Sequence, residues 1–189
     1  MKPVNDQDNT QHYTCQLDTL EATEAFGKAL GAKLQAGDLL ILTGSLGAGK
    51  TTLTQSLGEG LGVRDGLISP TFVLARQHPS LANGPGLIHV DAYRLDGHDD
   101  VDTLDLESTL AANVTVVEWG NGKVEHLSDS RLELVLDREA LAAPAAAPWE
   151  EAETELDEPR TASLTATGPR WNQTAFTELV DALERALNA

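Results

Sequence analysis

The segment Gly44-Ser45-Leu46-Gly47-Ala48-Gly49-Lys50-Thr51 constrains this 189-residue chain more than any other. It fills every fixed position of the pattern G-x-x-x-x-G-K-[ST]. The run before it, Asp38-Leu39-Leu40-Ile41-Leu42-Thr43, has the length of a strand. That run is continuously apolar rather than alternating, as for a parallel strand covered on both faces. After it, Leu53, Leu57 and Leu61 recur at helical spacing, so a helix is expected from about Lys50 to Gly60. A strand that enters a glycine turn and leaves as a helix is built to hold phosphate. The glycines let the backbone aim its N–H groups at phosphate oxygens, and the helix start adds a positive dipole end. Lys50 then reaches the β- and γ-phosphates, and the Thr51 hydroxyl is a hard oxygen ligand suited to Mg²⁺.

The remaining chain reads as one α/β domain. Residues 1–11 are polar and are expected to be a disordered leader, with the domain over residues 12–189. A short strand over His12–Leu17 precedes a helix from Thr19 to about Gln35, whose apolar face carries Leu20, Phe26, Leu30 and Leu34. Strands are expected over 72–77, 86–91 and 114–117, then over 131–137 and 161–167. The acidic run over 95–105 reads as a solvated helix start and loop. Residues 138–160, rich in Ala, Pro and Glu, read as an irregular or disordered excursion of the last hairpin. Phe176, Leu179, Val180, Leu183 and Leu187 mark a final helix.

A phosphate loop that works on a metal-bound nucleotide needs acidic groups at neighbouring strand ends. Glu118, which closes Val114-Thr115-Val116-Val117, is the candidate second metal ligand beside Thr51. In His89-Val90-Asp91-Ala92-Tyr93-Arg94, an extended backbone puts His89, Asp91 and Tyr93 on one face. Asp91 there can orient or deprotonate an attacking water, or hold the water shell of the metal. In Ser69-Pro70-Thr71-Phe72 the two hydroxyls can face the γ-phosphate or its metal; the same residues also suit an ordinary turn into a strand.

Charge narrows the choice of partners. Lys and Arg total 13 against 30 Asp and Glu, a formal net charge of −17. Such a chain is a poor free-standing grip on nucleic acid, which rewards a cationic surface, and a poor match for anionic lipid. The single cysteine, Cys15, forms no internal disulfide, and the five histidines have no zinc-site spacing. The polar start lacks the apolar core of a signal peptide, and no run approaches a membrane span, so a cytoplasmic location is expected.

Taken in order, 44–52, 69–72, His89 to Arg94 and Glu118-Trp119 resemble the TsaE (YjeE) family of small bacterial P-loop ATPases. The resemblance spans about residues 13–137 and, more weakly, the C-terminal hairpin and helix. It implies a single-domain P-loop NTPase fold with a mixed, mainly parallel central sheet flanked by helices. It implies an Mg²⁺-dependent ATP hydrolase, weak alone and stimulated in a complex with TsaB and TsaD. That complex makes threonylcarbamoyladenosine in tRNAs reading codons that begin with A. The ATPase does not itself transfer the threonylcarbamoyl group and meets tRNA only through the complex, with no DNA or membrane partner.

Residue by residue, Leu46, Gly47, Ala48, Gly49, Lys50, Thr51 and Thr52 correspond to ATP/ADP contacts, and Thr51 and Glu118 to the Mg²⁺ ligands. Asp91, Lys50 and Thr71 correspond to catalytic positions, with Thr71 in a switch-like segment. Trp119 corresponds to an aromatic beside the site, and Thr19 to a segment near the nucleotide base. The residues themselves leave two other readings open. One is a small phosphotransferase in which Asp91 deprotonates a substrate hydroxyl, against which the few, dispersed arginines tell. The other is a nucleotide-gated binding module that rarely hydrolyses. An Asn-Lys-x-Asp guanine-reading motif is absent from the chain, which favours ATP over GTP.

Overall fold

The computed structural model of the protein describes residues 10–63, 70, 74–138 and 159–189. Seven strands form one sheet in the order β1-β7-β6-β2-β5-β4-β3. They are β1 (Thr10–Leu17), β2 (Leu39–Gly44), β3 (Ala75–His78), β4 (Gly86–Asp91), β5 (Asn113–Glu118), β6 (Arg131–Arg138) and β7 (Arg160–Thr167). The central strands β6, β2, β5 and β4 are mutually parallel. The flanking pairs β1–β7, β6–β7 and β3–β4 are antiparallel, so five of the seven strands point the same way.

The continuous apolar runs do become the central strands. Every residue of β5 is buried, and all of β2 but Thr43. One face is covered by α1 (Leu20–Gly31), α2 (Lys50–Leu61) and α5 (Gln173–Leu187), through Phe26, Leu30, Leu53, Leu57, Phe176 and Leu183. The other face is thinner. It is closed by Val101 of α3 (His98–Asp102), Leu106 of α4 (Leu106–Leu110), Leu95 and Val124 over Ile41, Val90 and Val117. The short helix α3 lies within the acidic run read as a helix start and loop, and α4 follows directly after it. Among the described residues, no helix is long and apolar enough to cross a membrane.

Helices α1 and α2 pack backbone to backbone. A Cβ on Gly31 would run into the Leu57 carbonyl, and one on Gly60 into the Lys28 carbonyl. That close approach fixes the axis of α2, and with it the direction of the loop that opens into α2.

Several boundaries differ from the sequence reading. β1 begins at Thr10, inside the segment expected to be a leader: Thr10 and Gln11 pair with Thr167 and Ala166. Polar side chains hide an edge strand from a hydropathy reading, because backbone pairing to β7 needs no apolar face. α1 ends at Gly31, not Gln35, since Ala32 caps it and the chain must turn into β2. The last hairpin is longer than expected, with Arg138 and Arg160 paired within it. Of the 138–160 excursion, residues 139–158 lie outside the described residues. So do residues 1–9, Ser69, Thr71 and Phe72.

β2 is tied at its start by an ion pair between the buried Asp38 and the half-buried Arg170. The Arg170 guanidinium donates from Nε to Asp38 Oδ1 at 3.1 Å and from Nη2 to Asp38 Oδ2 at 3.2 Å. Asp38 Oδ2 also accepts the Gln35 N–H at 2.8 Å. Burial pushes the Asp38 carboxyl above the usual aspartate range, with the Gln35 N–H and Arg170 pulling it back. A carboxyl raised in this way favours the unfolded chain as pH climbs through its folded-state value. Arg170→Met removes the cation and leaves that charge uncompensated. It is expected to cost about 3 kcal/mol near neutral pH. The loss should shrink as pH falls through the raised folded-state value of Asp38, where the carboxyl takes up its proton and needs no partner. Urea unfolding across that range checks this; a loss independent of pH would contradict it.

Candidate functional site

β2 runs parallel to both β5 and β6, so its carboxyl end opens beside theirs. There the chain turns through Gly47 (φ +78°) and Gly49 (φ +96°), both in the left-handed region. Gly49 is the N-cap of α2 and offers no side-chain cap, so the first N–H groups of α2 remain available to a ligand. Leu46, at the tip, is 90% exposed, whereas Ala48 is fully buried. Thr51 and Thr52 lie in the first turn of α2, half-buried.

Lys50 is buried, and the loop itself takes two of the three ammonium donors. Nζ donates to the Gly44 carbonyl and the Ser45 carbonyl, each at 2.9 Å. It also lies 4.1 Å from the centroid of the Trp119 ring, a cation–π contact strengthened where water is excluded. Burial pushes the Lys50 pKa below the ordinary lysine range, while the charges of Glu118 and Asp91 pull it up.

Those two carboxylates are brought together by strand register. Asp91 ends β4 and Glu118 ends β5, and they are direct partners across the parallel pair. Alternation places both on the face covered by α2, with His89 and Val116 two residues earlier. Both side chains are buried. Glu118 Oε1 is 2.8 Å from His89 Nε2, so the carboxylate is held by a buried imidazole. Asp91 Oδ1 accepts the Tyr93 N–H at 2.9 Å, which fixes its rotamer over the turn that follows β4. Lys123 Nζ closes that turn on the Ala92 carbonyl at 2.6 Å. Tyr93 itself lies beyond the strand end, so only His89 and Asp91 share the expected face. Its exposed ring meets Trp119 edge-on, with centroids 5.3 Å apart.

Two non-glycine residues with left-handed backbone flank this pair. Trp119 (φ +60°) follows Glu118, and Leu74 (φ +66°) accepts the Asp91 N–H at its carbonyl. Strained residues held beside buried carboxylates mark a built site rather than a strand that merely stops. Pro70 accepts the Leu74 N–H at 2.8 Å. The neighbouring Thr71 lies outside the described residues. Thr19 is found as the N-cap of α1, its hydroxyl accepting the Ala22 N–H at 3.1 Å.

Among the described residues, no three His, Cys, Asp or Glu side chains converge as metal ligands. Two carboxylates near a hydroxyl-bearing helix start are hard oxygen donors, of the type that suits a cation arriving with phosphate oxygens of its own.

The family model described as "Threonylcarbamoyl adenosine biosynthesis protein TsaE" matches residues 17–143. The chain belongs to the TsaE family. The TsaE-named relative from Streptomyces coelicolor is 53% identical over 146 residues, covering 77% of this chain and 90% of that protein. The Mycobacterium bovis relative of the same name is 41% identical over 143 residues, covering 72% and 85%. A solved structure, Bacillus subtilis YdiB, superposes with a TM-score of 0.63 at 29% identity, covering 93% of this chain and 96% of that one.

Within this TsaE-family fold, sequence reading missed two residues at the loop. Arg160 is buried and donates from Nε to the Ala48 carbonyl at 2.9 Å. Arg138 reaches Gly47, where a Cβ would sit 3.0 Å from Nη1. Both had counted among dispersed arginines. Their only sequence signal is that each closes one end of an alternating strand.

The strain at Trp119 has a measurable consequence. Left-handed backbone costs a non-glycine residue about 1–2 kcal/mol. Trp119→Gly is therefore expected to be more stable than Trp119→Ala by about 1 kcal/mol, because both lose the ring and only glycine relieves the backbone. Thermal unfolding of the two variants checks the order; an alanine variant at least as stable would contradict it.

Proposed function

We propose that this protein is an Mg²⁺-dependent ATPase subunit of the machinery that makes threonylcarbamoyladenosine in tRNA, working with TsaB and TsaD in the cytoplasm. The observation that carries the reading is the convergence of Lys50, Asp91 and Glu118 at a glycine loop that opens a helix. The TsaE-named relatives supply the tRNA context, since their names place them in tRNA threonylcarbamoyladenosine biosynthesis. We read residues 12–189 as one domain, and the single seven-stranded sheet supports that reading.

In this reading the amides of Leu46 to Thr52 and the Lys50 ammonium bind the phosphates of ATP or ADP. Lys50 trades its carbonyl partners for phosphate oxygens, gaining charge-assisted bonds in place of neutral ones. Thr51 and Glu118 are the ligands for Mg²⁺, which would offset charge on the phosphate oxygens when bound. Asp91, fixed by the Tyr93 N–H, orients the attacking water and takes its proton. His89 keeps Glu118 in place. Trp119 and Tyr93 wall the site, Thr71 has the catalytic role that the family resemblance implies, and Thr19 lies near the base. The strong net negative charge suits a subunit that meets tRNA through partners rather than directly.

Phosphate release from Mg-ATP, by the protein alone and then with TsaB, TsaD and unmodified tRNA, tests the reading. Slow release that rises with the partners is expected. Lys50→Ala should weaken nucleotide binding by about 10–100-fold. Asp91→Asn should slow release by about 100-fold or more with affinity nearly unchanged. Tight binding with no release under any condition would favour a nucleotide-gated module, and wild-type behaviour in all variants would overturn the assignment.

A further inference from the structure

Arg138 and Arg160 are Cα partners at the connecting end of the β6–β7 hairpin, where β6 ends and β7 begins. Along β6 the alternation Leu132, Leu134, Leu136, Arg138 puts Arg138 on the face that α2 covers. Along β7, Arg160, Ala162, Leu164 and Ala166 occupy the same face. Like charges directly opposite on paired strands repel. A guanidinium also has only donors, so a buried one must find acceptors. The phosphate-loop backbone supplies one for Arg160. Gly44 pairs with Leu136, so β6 runs on past the start of the loop and carries Arg138 behind it. The two guanidiniums stand behind the two left-handed glycines. A Cβ on Gly47 would lie 3.0 Å from Arg138 Nη1, and one on Gly49 3.2 Å from Arg160 Nε.

The carbonyl between those glycines is the one Arg160 holds. Arg160 Nε donates to the Ala48 oxygen at 2.9 Å in a buried bond. A planar trans peptide points its C=O and its N–H in opposite directions. Anchoring the Ala48 carbonyl on Arg160 therefore turns the Gly49 N–H away from the hairpin. We propose that Arg160 is a positioning residue: by holding the Ala48–Gly49 peptide from behind, it presents the Gly49 N–H to the phosphate of a bound nucleotide. Without this anchor, the freedom of Gly49 about φ lets the peptide flip, and a flipped peptide would offer a carbonyl where an anion must sit. Arg160 lies outside the residues matched by the family model, which end at 143.

This role rests on the nucleotide-binding reading above, and the test separates the two. ADP affinity is measured by calorimetry at fixed salt for the wild type, Lys50→Ala, Arg160→Met and Arg160→Lys. In parallel, the Gly49 amide is followed in ¹⁵N-glycine-labelled protein as ADP is added. The wild type should bind ADP and shift the Gly49 proton downfield. Both Arg160 variants should bind about tenfold or more weakly, the effect of losing one charge-assisted contact network. In both, the Gly49 shift should be diminished even at saturating ADP, which a loss of stability alone would not produce. Arg160→Lys keeps the charge and apolar stem, so it reports on the anchor if Arg160→Met does not fold. Wild-type affinity and an unchanged Gly49 shift in a folded Arg160 variant would overturn the positioning role while leaving the nucleotide reading intact. A wild type that binds no ADP would overturn both.

Discussion

Lys50 sits in a buried space between the loop carbonyls of Gly44 and Ser45, the Trp119 ring and the charges of Asp91 and Glu118. Withdrawing an ammonium from water is costly, and here the two carboxylates oppose that cost alongside the loop carbonyls and the Trp119 ring. The carboxylates in turn owe their places to register: β4 and β5 end level with one another, beside the end of β2. Shifting either strand by one residue would turn Asp91 or Glu118 to the opposite face and take from Lys50 one of its two counter-charges. The apolar strands thus serve as rulers for the site. Burial of Leu40, Leu42, Val114 and Val116 against α1 and α2 sets the register that the charges need.

The same face of the sheet carries the loop's mechanical support. Glycines at 31 and 60 let α1 and α2 touch along their backbones, which holds α2. The β6–β7 hairpin lies on the other side of the loop and reaches it through Arg138 and Arg160. A loop with two left-handed glycines has little stiffness of its own. It gains a defined shape because a packed helix takes one end of it and a buried guanidinium takes the carbonyl at its centre.

What could be read from sequence follows the range of the interactions. The phosphate loop was legible because its glycines, lysine and hydroxyl act within eight residues. Asp91 and Glu118 were legible as acids that close apolar strands, since a central strand announces itself by continuous Val, Ile and Leu. The left-handed backbone at Trp119 was not, because a tryptophan gives no local sign of positive φ. The start of β1 at Thr10 was hidden by polar side chains on an edge strand. Arg138 and Arg160 were invisible as a pair: their proximity comes from hairpin register and from β6 lying next to β2, both long-range facts.

Lys50 now bonds to two loop carbonyls, and the central claim is that a nucleotide takes their place. A crystal structure of the protein with Mg-ADP tests this most directly. The expected result is a β-phosphate in the loop, with Lys50 Nζ moved from Gly44 and Ser45 onto a phosphate oxygen and the Ala48 carbonyl still on Arg160. Nucleotide bound elsewhere, or bound with Lys50 still on the loop carbonyls, would contradict it.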